Sequence, residues 1–245
     1  MPEAAPKIRL FVEAALGPGA EVTFAPAQAH YLFNVMRAAH GSEVAVFNGR
    51  DGEWLGAVTR TGRLGGSVAC RAPSRPQRRP PDLWLVFAPI KKARTDFIVE
   101  KAAEFGVARI QPVFTRYTSA ERLRLDRLRA HAIEAAEQCG ETWVPDLAAP
   151  VRFPALVDAW DPSRRLMFCD ETRDAAPAAA ALAAAQPGPW AILIGPEGGF
   201  APEETLRLRG LPFVLPVTLG PRVLRADTAA CAALALWQSV LGDWR

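Results

Sequence analysis

In the carboxyl-terminal quarter of this 245-residue chain, two short apolar runs break into loops that combine glycine with charged side chains. The first reads Leu193-Ile194-Gly195-Pro196-Glu197-Gly198-Gly199-Phe200. The second reads Leu219-Gly220-Pro221-Arg222-Val223-Leu224-Arg225 and continues into Ala226-Asp227-Thr228. Glycine permits backbone conformations closed to other residues and lets main-chain amides come close to a ligand. Glu197 stands among glycines with no basic neighbour, which suits a hydroxyl, an amine or a cation better than a phosphate. Neither loop has the G-x-G-x-x-G or G-x-x-x-x-G-K-[ST] spacing of a nucleotide-phosphate grip. A single Gly-Pro-Glu-Gly-Gly turn also serves as plain structure. Two such loops at successive strand ends point to one shared pocket.

Both loops need strands behind them and helices in front. Trp190 to Ile194 and Phe213 to Leu219 are β-type runs, each followed by a helix-type segment, so the loops open at the carboxyl ends of strands, where open α/β sheets bind ligands. Pro202-Glu203-Glu204 puts a proline and two acids in a first helical turn. Asp227 or Thr228 can cap the final helix, which gathers Leu234, Trp237 and Leu241 on one side and small alanines at its start. Upstream, strands at Leu83 to Ala88, Ile110 to Phe114 and Leu166 to Cys169 alternate with helices at about Thr95 to Phe105, Arg122 to Cys139 and Ala175 to Ala185, the last an alanine-rich surface cover. The alternation predicts a mainly parallel sheet covered by helices on both faces.

The first third reads differently. Short β runs at Ile8 to Val12, Glu21 to Phe24, Glu43 to Phe47, Trp54 to Val58 and Ser67 to Cys70 are separated by turns, Asn48-Gly49-Arg50-Asp51-Gly52 being the clearest hairpin. One helix, about Pro26 to Met36, ends near Arg37 and His40 before Gly41. On residue type alone, His30 is a surface or packing histidine and Arg9 and Arg37 are surface charges. The Pro- and Arg-rich stretch 73–81 is an extended connector, giving domains at 1–72 and 82–245.

Composition narrows the function classes. Residues 1–80 carry ten Lys/Arg against six Asp/Glu and the remainder 19 against 20, so the net +3 sits in the amino-terminal third, as a phosphate-binding surface or a merely solvated one. No apolar stretch is long enough for a membrane span, and Met1-Pro2-Glu3 does not begin a signal peptide, so a soluble, cytoplasmic protein is expected. Cys70, Cys139, Cys169 and Cys231 lack metal or disulfide spacing and read as buried free thiols; no metal is expected.

Taken together, the two loops closely resemble the cofactor loops of the ribosomal small-subunit RNA uridine-N3 methyltransferases, the RsmE family, within the SPOUT class. The resemblance covers nearly the whole chain. His30-Tyr31-Leu32 with Val35-Met36-Arg37, the early Arg9, Lys101-Ala102-Ala103-Glu104-Phe105-Gly106-Val107 and Glu134-Ala135-Ala136-Glu137-Gln138-Cys139-Gly140 are similar to further family signatures. Two positions depart: Glu141 replaces a usual residue after Gln-x-Gly, and Ala226-Asp227-Thr228 stands for Thr-Glu-Thr, with a shorter acid and one hydroxyl fewer.

The resemblance implies a PUA-like β-barrel domain for RNA, a SPOUT α/β domain with a trefoil knot, a homodimer and S-adenosyl-L-methionine as cofactor. It places that cofactor on Leu193, Ile194, Gly195, Pro196, Glu197, Gly198, Gly199, Leu215, Leu219, Gly220 and Leu224. RNA falls to Arg9, His30, Arg37 and Arg222. The substrate implied is 16S ribosomal RNA or the small subunit. Uracil N3 is a poor nucleophile until deprotonated, so a base or a cation that stabilises the imidate is required. Arg225 suits the cation, Asp227 the base, with Glu197 next. The alternatives are ribose 2′-O methylation and a catalytically silent RNA-binding assembly factor.

Overall fold

The computed structural model describes residues 6, 8–62, 65–120, 122–172 and 174–245; the Met1-Pro2-Glu3 start lies outside them. The chain forms two compact units. One comprises the described residues up to Arg79 together with Ala136–Val144, the other Pro80–Ala135 and Pro145–Arg245.

The amino-terminal unit is built on strands β1 (Arg9–Phe11), β2 (Glu21–Thr23), β3 (Glu43–Phe47), β4 (Glu53–Thr61) and β5 (Gly65–Arg75), hydrogen-bonded in the order β1-β3-β4-β5-β2. β1 and β3 are parallel and the other pairs antiparallel. The β3–β4 connection is the Asn48–Gly52 hairpin: Asn48 Oδ1 accepts from the Arg50 and Asp51 amides, and Gly49 and Gly52 take positive φ (77° and 76°). Hydrogen bonds from the Leu16 amide and Asn48 hold the Asp51 carboxyl below its usual range. Alternation on β3 sends Val44 and Val46 into a core with Leu10, Phe24, Leu32 and Val68.

Between β2 and β3 lies helix α1 (Pro26–His30), its Ala25 N-cap amide donating to Gln28 Oε1. The helix does not run on regularly to Met36. Tyr31–Val35 forms a π-helical turn closed by Met36 N to Tyr31 O (2.9 Å), and Ala38 N reaches back to Leu32 O (2.9 Å). Arg37, not a glycine, takes the left-handed position at φ 55°. Such strain in a non-glycine residue costs on the order of 1 kcal/mol or more, and both π turns and strained residues gather at functional sites.

Arg9 is an internal tie of this unit. Its side chain is 10% exposed, its Nε donates to Glu53 Oε2 (2.6 Å), and Nη1 and Nη2 donate to the carbonyls of Ala136, Glu137 and Glu141 (each 2.8 Å). The guanidinium also lies 4.7 Å over the Phe47 ring. It caps carbonyl ends left free at a helix terminus, where a cation is favoured.

The second unit contains β6 (Leu83–Phe87), α2 (Lys92–Glu104), β7 (Arg109–Phe114), α3 (Leu125–Cys139, whose last turn belongs to the first unit), β8 (Asp146–Leu147), β9 (Val151–Arg152), α4 (Phe153–Asp158), β10 (Arg165–Cys169), β11 (Ala176–Pro177), α5 (Ala178–Ala183), β12 (Trp190–Ile194), α6 (Pro202–Arg209), β13 (Val214–Thr218) and α7 (Ala226–Val240). The main sheet runs β11-β13-β10-β12-β6-β7-β8 with every pair parallel, and β9 joins β7. Val86, Leu166, Phe168, Ala191 and Leu193 face α4 and α6 in one core. The alternate residues Leu85, Ile192 and Ile194 are equally buried, and α7 packs on β12, α2 and α5. β8, β9, β11 and α4 are too short for periodicity to reveal. The alanine-rich segment is shorter than expected, and it is no plain cover, because Ala178 and Leu182 are buried.

Removing the Arg9 side chain takes the shorter ion pair from the buried Glu53 carboxylate (2% exposed), leaving it Arg75 at 3.6 Å and the Ser74 hydroxyl, and takes the guanidinium donor from three carbonyls. Arg9→Met is expected to destabilise the protein by about 2–4 kcal/mol, read as a lowered denaturation midpoint; an unchanged midpoint removes the structural role.

Candidate active site

All strands of the second sheet run the same way, so the ends of β10, β12 and β13 open on one edge and bring their loops side by side. The turn after β12 is built around Phe200. A Cβ on Gly195 would meet the Phe200 ring at 2.6 Å, so glycine there lets the aromatic fold back over the strand end. Phe200 then sits edge-on against Phe168, centroids 5.1 Å apart. Gly199, at φ 72°, closes the turn by donating to Pro196 O (3.0 Å), and its missing Cβ would lie 2.4 Å from Glu171 Oε1.

Glu171 is the first of two residues at this edge that the sequence pattern does not mark. Standing after β10, it accepts a hydrogen bond from the Phe200 amide (2.8 Å) and also lines a cleft with Thr218, Leu219, Gly220, Arg222 and Leu224. Both glycine loops thus converge on one carboxylate. Beside it, buried Asp170 accepts from Arg209 Nε (2.8 Å) and from the Thr172 amide (3.0 Å), tying the β10 loop to α6. No glycine or motif marks Glu171 or Asp170; only the sheet order makes their loop a neighbour of the other two.

The second omission is Arg94. From the first turns of α2 its Nη1 meets Glu197 Oε1 at 2.8 Å and its Nε stands 3.6 Å from Asp227 Oδ2. Glu197 therefore does have a basic neighbour, supplied from 103 positions upstream. Asp227 does not cap α7. The helix starts one residue earlier, with Arg225 as its N-cap, whose carbonyl accepts from Ala229 N (2.7 Å). Asp227 lies in the first turn, where the positive helix end favours an acid. Glu204 has a comparable place in α6, its carboxylate accepting from the Ala201 and Arg116 amides.

The remaining expected residues divide by exposure. Leu193 and Ile194 are buried in the sheet, so any ligand contact from them is through backbone. Gly220 has φ 119° and open space where a Cβ would stand, which leaves its peptide approachable. Arg222 and Arg225 are exposed. In the amino-terminal unit, exposed His30 accepts at Nδ1 from Asn34 (2.8 Å), and exposed Arg37 follows Val35 and Met36, which are 58% and 39% exposed.

The cysteines are not uniformly buried: Cys70 is, Cys139 is exposed, and Cys169 and Cys231 lie between. Burial pushes the Cys169 thiol up to about 12 and raises Cys231 as well. A thiol so raised is no nucleophile near neutrality. Among the described residues no group of three or more His, Cys, Asp or Glu is placed to hold a metal, and no helix is long and apolar enough to cross a membrane.

Comparison with known proteins gives the family of the chain. The family model described as an RNA methyltransferase domain matches residues 77–238, and that of an RNA methyltransferase PUA domain matches 24–65. Ribosomal RNA small subunit methyltransferase E of Synechocystis is 31% identical over 226 residues, covering 91% of this chain and 74% of that protein. The chain belongs to this methyltransferase E family. The Rickettsia conorii member is 26% identical, with 93% of each chain covered. Among solved structures, Lpg2936 of Legionella pneumophila, in complex with the bound cofactor SAM, superposes with a TM-score of 0.86 at 29% identity over 96% of this chain and 98% of that one. The methyltransferase E of Neisseria gonorrhoeae has the same fold (TM-score 0.86, 23% identity, 97% and 99% covered).

For this family member the thiols predict a clean chemical contrast. Iodoacetamide at pH 8 should label exposed Cys139 and leave half-buried Cys169, whose thiol desolvation pushes up, unmodified until the protein is unfolded; equal labelling of both in peptide mapping would contradict that raised thiol.

Proposed function

We propose that the protein transfers a methyl group from S-adenosyl-L-methionine to N3 of a uridine in 16S ribosomal RNA, acting in the cytoplasm on the small subunit as a homodimer. Family membership supports RNA methyl transfer. The observation that carries the cofactor is the convergence of both glycine loops on Glu171 at the carboxyl edge of the sheet. Half-buried Ala229, Ala232 and Leu236 along α7 are consistent with a subunit interface. The trefoil crossing follows from the family resemblance.

The loop chemistry fits a nucleoside carrying a sulfonium and no phosphate: acids at Glu171 and Glu197, glycines with reachable backbone, and Leu219 and Leu224 for an apolar base. Leu193 to Gly199 with Leu215, Leu219, Gly220 and Leu224 would hold it. When bound, this cofactor supplies a methyl already activated on sulfur, so the protein's task is to align and deprotonate the acceptor.

Arg225, a cation at the positive end of α7, is unfavourably placed until an anion meets it, and a uracil imidate is such an anion. Asp227 takes the N3 proton. Arg94 holds Asp227 and Glu197 in register, so it is a positioning residue. Arg222 contacts phosphate, as do Arg37 and His30 on the amino-terminal unit, where Arg9 contributes by holding its own strands. Because N3 lies on the pairing edge, the uridine must be unpaired or flipped.

The direct test incubates the protein with cofactor and unmethylated small subunits, digests the RNA and identifies the nucleoside by mass; a 2′-O-methyl product, or none, overturns the proposal. Gly199→Val places a β-branched side chain at positive φ against Glu171 and should abolish cofactor binding in calorimetry while the fold persists. Arg225→Ala is expected to slow single-turnover transfer about 10²-fold with cofactor affinity unchanged. Arg222→Ala should instead weaken RNA binding, and the reverse pattern would exchange the two roles.

A further inference from the structure

We propose that the cavity lined by the amino-terminal ends of α2 and α3 grips phosphodiester groups of the substrate RNA strand, a contact that rests on the methyltransferase reading above. The cavity measures about 480 Å³, and among the described residues Lys91, Lys92, Arg122, Arg124 and Arg127 line it with the acid Asp96. This density of cations is local, since residues 81–245 carry 19 Lys/Arg against 20 Asp/Glu.

Internal pairing accounts for only part of the charge. Asp96 is taken by Arg127, and Arg124 by Asp126 (2.7 Å). Lys91, Lys92 and Arg122 are exposed and make no ion pair with a described carboxylate.

Their position also runs against local preference. A helix start favours acids and disfavours cations, yet α2 has no acid in its first turn, and its N-cap is Lys91, whose side chain makes no capping bond. Breaches of local rules of this kind are expected where a ligand compensates them. An anion drawn to the lysines would also meet the free amides of the helix start.

The ligand class follows from the neighbouring chemistry. The same first turns of α2 present Arg94 to Glu197 and Asp227, so an anion in the cavity lies along the chain from the proposed methyl-transfer site. A strand whose uridine reaches that site carries its flanking phosphates past α2. Phosphate contacts position without reading sequence, and three flexible, exposed cations suit that task.

The test is a Lys91→Ala/Lys92→Ala/Arg122→Ala variant of the full chain, compared with the parent for binding unmethylated 16S ribosomal RNA transcript across a potassium chloride series. The dissociation constant is expected to rise at least about tenfold, and the slope of log affinity against log salt to fall by about 2, at roughly 0.7–0.9 for each phosphate no longer neutralised. Cofactor affinity by calorimetry should stay within about twofold, which also shows that the variant is folded. Unchanged RNA affinity and slope overturn the proposal. So does saturable micromolar binding of inorganic pyrophosphate that the variant loses while RNA binding persists, since that is a small-anion site. A parent protein that binds the transcript but methylates neither it nor the small subunit defeats the methyltransferase reading, while the salt slope still decides the cavity.

Discussion

Parallel hydrogen bonding of Trp190–Ile194 between Leu83–Phe87 on one side and Arg165–Cys169 on the other is the constraint from which the site follows. It sets β12 in the middle of the sheet, so the Gly195–Phe200 turn emerges beside the loop after β10, with the loop after β13 on that loop's other flank. Five buried residues, from Trp190 to Ile194, anchor the strand on both faces. The glycine turn therefore projects from a rigid base, which is the arrangement that lets a loop bind with little ordering cost.

The turn itself is held by shape and charge together. Phe200 fills the core against Phe168 and Phe153, which needs the missing side chain of Gly195, and Glu171 takes the Phe200 amide, which needs the missing side chain of Gly199. Glycines in this loop thus serve packing as well as approach to a ligand. Arg94 adds a second tie by reaching Glu197 and Asp227, so these two acids are coupled through one guanidinium. In such a network the effect of removing one member includes the charge it leaves behind.

The amino-terminal unit illustrates how residue type and residue role separate. Arg9, His30 and Arg37 all belong to the pattern that resembles an RNA-binding signature, but their surroundings differ. Arg9 spends its donors on Glu53 and a helix end, whereas His30 stands exposed at the end of α1, just before the π turn, and Arg37 stands exposed in the left-handed conformation. A signature residue can serve a binding surface by holding it as well as by touching the ligand.

The local grammar of the chain sufficed for much of this. Period-two and alternating βα patterns locate β3 and β12 to the residue and most other long elements within a few positions, because burial imposes those periods on any sequence that forms a sheet covered by helices. The glycine loops were legible because their composition has few other uses. Tertiary structure alone decided which distant residues complete them. Glu171 and Arg94 carry no local mark, as an isolated carboxylate or guanidinium reads the same on any surface, and their meaning comes from strand order and from α2 lying against α7. Likewise α7 starts at Ala226, with Arg225 as its N-cap and no side-chain cap, because backbone dihedrals decide a helix start and Asp227 has Arg94 to face.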